Sequence, residues 1–291
     1  MSYKADNAII MAAGASSRFA PLSYEVPKAL IRVKNEILLE RQIRQLQEAG
    51  IPEIVIVVGY KKEQFYYLKE KMGVIIIEND EYRVRNNNAS IYAARDYLKN
   101  SYICSADNYF TKNPFKLTVE DAYYAAVYAE GETEEWCMEE DSSGYVGRVQ
   151  IGGANAWYML GHAFWNKAFS EKFLEILRAE YHRPETVGLL WEAIYSRHLD
   201  KLKLKIKKYE RDFIFEFDSL DELRLFDSSY INDTKSAILK KIASELNCAE
   251  AEITNICAVK ETDKAEAAGF RFVYENEVYE YHYRSEAWRK I

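Results

Sequence analysis

The sequence predicts an α/β fold: a mixed, mostly parallel sheet flanked by helices, followed by a small α+β appendage. Three observations carry that expectation. Between residues 8 and 105, short apolar runs of strand length alternate with longer amphipathic stretches. The short runs are β-branched, as in Ile-Val-Ile-Val-Val at 54–58, which suits strands covered on both faces. The 291 residues, 48% hydrophobic and 29% charged, suffice for one large domain plus an extension and are too apolar for a disordered chain.

Taken in order, Ala8–Met11 reads as a buried strand, Leu38–Gln47 as a helix, Glu53–Val58 as a strand and Lys62–Met72 as a helix. Val74–Ile77 follows as a strand, Ala89–Lys99 as a helix and Tyr102–Ser105 as a strand. This alternation indicates βαβ units, in which ligands sit at the carboxyl ends of the strands. From Asp121 longer strands are expected at Ala122–Ala129, Glu135–Glu139, Gly147–Ile151 and Trp157–Phe164, with turns at Ser142-Ser-Gly and Gly152-Gly. Helices are expected at Ser170–Tyr181, capped by Ser170, and at Thr186–Arg197. Lys201–Lys208 alternates aliphatic residues with lysine, the pattern of a strand with one wet face. Ser219 caps a last helix, Leu220–Phe226, and the main domain is expected to span 1–230. Residues 235–291 form the appendage, with a helix at Ile238–Leu246 and a hairpin of Phe270–Tyr274 and Val278–Tyr283. That is too little chain to stand alone, so it is expected to dock on the main domain or on a neighbouring protomer of a homodimer.

Charge and composition exclude several functions. With 39 basic and 46 acidic side chains the net charge is −7, so no broad cationic field exists for nucleic acid or an anionic membrane. The apolar run Ala8–Ala13 is too short for a signal-peptide core or a membrane span, and a cytoplasmic location is expected. The four cysteines lie far apart with no C-x-x-C pair, which suggests buried free thiols. Twenty-three tyrosines supply material for an aromatic ligand pocket.

Three stretches can carry chemistry. The first strand runs into Met11-Ala-Ala-Gly-Ala-Ser-Ser-Arg-Phe-Ala-Pro-Leu22. Small residues after a strand let backbone amides approach an anion, Gly14 allows positive φ, and Arg18 adds a bidentate phosphate fork. Pro27-Lys28-Ala-Leu supplies a second cation. A tight βα turn with a surface Arg and Lys is the alternative. Second, Tyr102-Ile-Cys-Ser-Ala-Asp107-Asn108 ends an apolar strand in an acid. Third, Ile214-Phe-Glu216-Phe-Asp218-Ser219 points two acids to one face of a strand. Asp107 or Asp218 can equally cap a turn or helix; converging, they make a hard oxygen site for Mg²⁺.

Residues 8–30, with Ile56-Val-Val-Gly-Tyr-Lys-Lys-Glu-Gln-Phe, Asn86-Asn-Asn-Ala-Ser-Ile-Tyr, Ala106-Asp-Asn-Tyr, Glu135-Trp136 and Glu216-Phe-Asp-Ser, resemble bacterial CTP:phosphocholine cytidylyltransferases. The resemblance covers roughly 7–228 and implies a Rossmann-like fold of the nucleotide-diphospho-sugar transferase type. It implies that Ala12, Ala13, Gly14, Ala15 and Ala106 hold the nucleotide, and that Gly59, Asn87 and Ser90 read the cytosine edge. Arg18 and Lys28 neutralise the triphosphate, while Asp107 and Asp218, with Glu216 nearby, bind Mg²⁺. The implied reaction is in-line attack of the acceptor phosphate on the α-phosphorus of CTP, expelling pyrophosphate.

A quaternary ammonium donates no hydrogen bond and is recognised by aromatic faces and carboxylates. Trp136, Trp191, Tyr128 and Glu192 are the candidates, with Tyr158 as a further wall; core packing is the alternative for each tryptophan. Two other acceptor classes, aminoethylphosphonate or phosphoethanolamine and a sugar 1-phosphate, fit the same chemistry. A nucleotide-binding regulatory module without catalysis is the reading from another class; it predicts loss of Arg18, Lys28, Asp107 or Asp218, and all four are present. Residues 238–284 resemble the opening helix and hairpin of choline kinase-type phosphotransferases, but no H-x-D loop or D-F-G-like motif follows, so kinase activity is not expected.

Overall fold

The structure, a computed structural model, describes residues 2–260 and 266–291. Packing divides the chain into two units: Met1–Gly14 with Leu39–Glu216, and Ala15–Leu38 with Phe217–Ile291. The division therefore differs from the boundary expected between 230 and 235. The segment that leaves the first strand packs with everything after Glu216, so the appendage shares a unit with residues 15–38.

The first unit is built on a seven-stranded sheet of β1 (Asn7–Ala12), β2 (Ile54–Val58), β3 (Ile75–Glu78), β4 (Ser101–Ser105), β5 (Tyr123–Glu140), β6 (Val146–Trp165) and β7 (Lys205–Tyr209). Their spatial order is β7-β5-β6-β4-β1-β2-β3. β1 runs parallel to β2 and β4, β2 to β3, and β5 to β7; only β6 is antiparallel to its neighbours. All five residues of β2 are buried, as a strand covered on both faces requires. Flanking helices are α1 (Leu38–Glu48), α2 (Tyr67–Met72), α3 (Asn88–Ala93), α4 (Lys167–Glu180) and α5 (Trp191–Ser196). α1 turns Leu39, Ile43 and Leu46 inward, and its Gln42 amide donates to the Ser105 carbonyl at 3.0 Å, fixing the end of β4.

Several helices are shorter than periodicity suggests. The stretch 62–72 opens as a 3₁₀ turn, Lys62–Phe65, before α2; 89–99 closes as one, Arg95–Tyr97. The expected Thr186–Arg197 helix splits into a 3₁₀ turn at Pro184–Thr186 and α5, with Gly188, a poor helix former, between them. α4 is capped not by Ser170 but by Asn166, whose carboxamide oxygen accepts from the Phe169 N–H at 2.9 Å. Ser170 lies inside the helix and donates to the Lys99 carbonyl at 2.6 Å.

The largest departure is in the region expected as four strands. These fuse into β5 and β6, joined at the Ser142-Ser-Gly turn, and Gly152-Gly153 falls within β6 among register shifts. Bulges break the sequence alternation without ending the hydrogen-bonded ladder. The hairpin also folds back on itself: Tyr158 lies opposite both Val127 and Cys137, and Trp157 opposite both Tyr128 and Met138.

The second unit holds a helical turn (Leu22–Glu25), α6 (Leu220–Phe226), α7 (Ala237–Leu246) and an antiparallel sheet of β8 (Thr254–Lys260), β9 (Ala267–Tyr274), β10 (Glu277–His282) and β11 (Ala287–Lys290). Ser219 caps α6 as expected, accepting from the Glu222 N–H at 3.2 Å. Glu275 and Asn276 turn the hairpin with φ of 50° and 62°, the two left-handed residues of a type I′ turn. β8 and β11 were not expected, because β8 lacks strict alternation and β11 is short and charged. Cys104 and Cys137 are buried free thiols, but Cys248 is half-buried and Cys257 exposed. No helix among the described residues is long and apolar enough to cross a membrane.

Within the first unit, His162 on β6 is 1% exposed with Nε2 3.0 Å from the Tyr123 hydroxyl oxygen. Burial, helped by Lys207, lowers its pKa to about 3. The folded chain therefore holds this imidazole neutral while the unfolded chain protonates it below about pH 6.5. Stability contributed here is present above that pH and is lost as pH falls towards about 3. His162→Gln is expected to make the fall in unfolding free energy from pH 6 to pH 4 shallower by about 1.4 kcal/mol per pH unit, measured by urea titration at each pH.

Candidate active site

Parallel pairing brings several strand ends of the first unit to one edge. Ala12 lies opposite Val58, Val58 opposite Glu78, and Met11 opposite Ser105, so Ala13, Gly59, Asn79 and Ala106 follow at a common carboxyl edge. Backbone bonds hold these ends: the Tyr60 N–H donates to the Ala13 carbonyl at 3.0 Å, and the Ala106 N–H to the Met11 carbonyl at 3.3 Å. Ala12, Ala13 and Ala106 are buried and present little beyond backbone.

The two glycines of this edge have different reasons. A Cβ on Gly59 would lie 2.7 Å from the Tyr82 ring and 2.9 Å from the Ala13 carbonyl oxygen, so close packing requires glycine there. Gly14 is exposed, and a Cβ on it would meet nothing within 4 Å. Gly14 does not use the positive φ open to it; Ser16, with φ of 47°, is the left-handed residue of this stretch. Nothing in the chain's own packing demands glycine at 14, and its absent side chain leaves open backbone at the end of β1.

Beyond β4, Asp107 is half-buried and Asn108 buried. Ile214–Phe215 pairs antiparallel with Tyr109–Phe110, which sets Glu216 across from Asn108; the Asn108 amide donates to its Oε2 at 3.2 Å. Asp107, which precedes Asn108, is thus brought near Glu216.

Asn87 and Ser90, expected to read the base, have partners within the chain. The Asn87 side-chain oxygen accepts from the Trp191 N–H at 2.7 Å, and its amide donates to Glu192 Oε2 at 3.1 Å. Ser90 is buried and accepts from the Asn79 amide at 3.2 Å. Trp191 and Glu192, expected at the acceptor site, are corrected likewise. Trp191 is 1% exposed, stacked on Tyr124 at 5.4 Å and edge-on to Trp165. Glu192 is buried with its other oxygen accepting from the Tyr124 hydroxyl at 3.0 Å, and burial raises its pKa against the pull of those bonds. This quartet secures the start of α5 to α3.

Tyr128, Trp136, Trp157 and Tyr158 belong instead to β5 and β6 past the point where β6 leaves β4, at the same carboxyl edge. Tyr128 is 38% exposed and stands edge-on to Trp157 with ring centres 5.2 Å apart. Trp136 packs partly buried against the core. Trp157 had no signal of its own in the sequence; only the folded-back hairpin places it beside Tyr128.

In the second unit, Arg18 and Lys28 converge on one carboxylate. Arg18 Nη1 donates to Asp218 Oδ2 at 2.6 Å, and Lys28 Nζ lies 3.8 Å from Asp218 Oδ1. Arg18 is largely exposed, whereas the Lys28 side chain is 4% exposed and lies over the Phe19 ring. Two cations 10 residues apart in sequence are thus gathered by an acid 200 residues from the first.

Of the expected metal set, Asp107 and Glu216 belong to the first unit and Asp218 to the second. Among the described residues no three His, Cys, Asp or Glu side chains group to hold a metal ion. Glu216 accepts from Asn108, and Asp218 from Arg18 with Lys28 nearby.

Residues 8–147 match the family model of the MobA-like NTP transferase domain. The choline-phosphate cytidylyltransferase of Streptococcus pneumoniae is 36% identical over 78% of this chain and 99% of that protein. The chain belongs to the cytidylyltransferase family. A 2-aminoethylphosphonate cytidylyltransferase of Lancefieldella rimae is also 36% identical, over 77% of this chain and 93% of that protein. A solved structure of the Streptococcus pneumoniae CTP:phosphocholine cytidylyltransferase superposes with a TM-score of 0.74 over 78% of this chain and 99% of that one. A glucose-1-phosphate thymidylyltransferase structure from Bacillus anthracis, at 14% identity and a TM-score of 0.61 over 77% of this chain and 94% of that one, shares the fold. The chain is accordingly a nucleotidyltransferase, with the mixed, mostly parallel sheet of that fold.

The close approach at Gly59 is directly testable. Gly59→Ala is expected to destabilise the fold by about 1–3 kcal/mol, because the Ala13 carbonyl cannot retreat without breaking the Tyr60 bond. Adding Tyr82→Ala relieves only the ring contact. Thermal melts of the single and double variants check this, and a wild-type melting temperature for Gly59→Ala contradicts it.

Proposed function

We propose that the chain transfers CMP from CTP to phosphocholine, forming CDP-choline and pyrophosphate. The observation that carries this reading is the open backbone at Gly14 just past β1, with Arg18 and Lys28 following in the same stretch of chain. The amides of Ala12–Ala15 receive the nucleotide phosphates, and Arg18 and Lys28 offset the charge that grows on the α-phosphoryl group and the departing pyrophosphate. With Asn87 and Ser90 committed elsewhere, the base rests on backbone around Gly59 and Ala106. The acceptor phosphate is already ionised and attacks in line, so the protein supplies no covalent intermediate and no general base. Its part is positioning and charge neutralisation.

Mg²⁺ is assigned to Asp107 and Asp218. Two carboxylates fit this ion, which keeps several waters and leans on substrate phosphates, better than a closed cage of acids does. The ion would supply further neutralisation of the triphosphate. The acceptor's ammonium is assigned to Tyr128 and Trp136, with Trp157 and Tyr158 as neighbouring walls.

A second acceptor, aminoethylphosphonate, is favoured by one feature. β5 continues past Tyr128 through Glu130, Glu132, Glu134 and Glu135, all exposed, and carboxylates of this kind suit a primary ammonium. A pyrophosphate-release screen separates the readings by crossing four nucleoside triphosphates with phosphocholine, phosphoethanolamine, aminoethylphosphonate and hexose 1-phosphates. CTP with phosphocholine is expected to give the highest kcat/KM. Faster turnover of aminoethylphosphonate hands the function to the second reading, and no release with any pair leaves a binding module. Lys28→Ala is expected to lower kcat by about 10²-fold, the scale of one lost transition-state charge contact; unchanged kinetics remove Lys28 from the mechanism.

A further inference from the structure

The second unit ties together two stretches of chain distant in sequence, and one tie lies between the two cations. Leu22–Glu25 is a four-residue helical turn flanked by Arg18 and Lys28. Glu25 Oε1 accepts from the backbone N–H of Ala237 at 2.7 Å and of Ile238 at 3.3 Å, the first two residues of the ten-residue α7. Ser236 covers a third donor of the same helix end, accepting from the Leu239 N–H at 3.1 Å. A carboxylate here satisfies N–H groups that have no intrahelical partner and meets the positive end of the helix dipole.

Neighbouring contacts make the tie rigid. Tyr24 stacks on Tyr283 with ring centres 3.6 Å apart and planes 3° from parallel, and the Tyr283 N–H donates to the Ala268 carbonyl within the C-terminal sheet. On the far side of Lys28, the Tyr230 hydroxyl donates to the Arg32 carbonyl at 2.5 Å, and Asp227 accepts from the Lys34 N–H at 2.6 Å. The segment bearing Arg18 and Lys28 is therefore gripped at 24–25 and at 32–34 by residues beyond Phe217. Of these grips, Glu25 is the one that sits between the two cations, and its removal costs a charge and two hydrogen bonds to α7.

We infer that Glu25 is a positioning residue: by capping α7 it anchors the Arg18–Lys28 segment to the C-terminal part of the chain and so sets how tightly the two cations hold the triphosphate of CTP. The inference rests on the reading of Arg18 and Lys28 given above. It predicts an effect on the nucleotide and not on the acceptor, because the Glu25 bonds to α7 hold the segment that bears the two cations.

The test uses the full chain in three forms: wild type, Glu25→Ala and Glu25→Gln. CTP binding is measured by calorimetry without acceptor, and KM for CTP, KM for acceptor and kcat by pyrophosphate release. Glu25→Ala is expected to weaken CTP binding about tenfold and raise KM for CTP equally, the scale of a lost helix cap, while KM for the acceptor stays within about twofold. Glu25→Gln keeps an oxygen for the two N–H groups and is expected to recover most of the affinity. A fall in kcat with both KM values unchanged marks a merely structural role and overturns the inference, as does wild-type CTP affinity in Glu25→Ala. If Glu25→Ala does not fold, Tyr283→Ala, which removes the Tyr24 stack but keeps the cap, takes its place. It is expected to weaken CTP alone, and unchanged CTP affinity in it overturns the inference. Absence of CTP binding by the wild type defeats the transferase reading itself, a result distinct from wild-type binding that Glu25 leaves untouched.

Discussion

The parallel ladder of β1 with β2 and β4 is the constraint on which the first unit depends. Parallel strands in register deliver all their carboxyl ends to one edge, and the connections must cross back over the faces of the sheet. The residues just past each strand are therefore brought together at that edge. Here they are Ala13, Gly59 and Ala106, small residues that pack closely, and the open backbone lies next to them at Gly14. α1 reinforces the edge, since the Gln42 bond to the Ser105 carbonyl fixes the end of β4 from the helical layer.

Charge is handled separately, in the second unit. Asp218 draws the exposed Arg18 and the buried Lys28 to one carboxylate. For a lysine at 4% exposure the arrangement matters: burial costs several kcal/mol for an uncompensated ion, and the nearby acid offsets it. The same unit contains the C-terminal helix and sheet, whose residues hold the chain on both sides of Lys28. An extension that looks like a separate appendage in the sequence is thereby part of the module that carries the cations.

Residue type alone misleads where a polar or aromatic side chain has an internal use. Asn87, Trp191 and Glu192 have the composition of a ligand site, yet the asparagine caps α5, the tryptophan stacks on Tyr124 and the acid takes the Tyr124 hydroxyl. Trp157, silent in the sequence, stands beside Tyr128 because the β5–β6 hairpin folds back. For Asn87, Trp191 and Glu192 the difference lies in partners contributed from more than 60 residues away, which no local pattern reports.

Local sequence determined the class of fold, the strands β1 to β4, the Ser219 cap, the C-terminal hairpin and the loop from Ala12 to Lys28. Each rests on interactions within a few residues: side-chain alternation, β-branched burial, a hydroxyl reaching its own helix end, a turn needing left-handed φ. Tertiary structure decided which acid holds Arg18 and Lys28, that Glu216 is spent on Asn108, that Trp191 is core, and that residues 15–38 pack with the C-terminal part of the chain. Those outcomes depend on contacts between segments up to 200 residues apart, and burial and hydrogen-bond satisfaction fix such contacts only once the whole chain has packed.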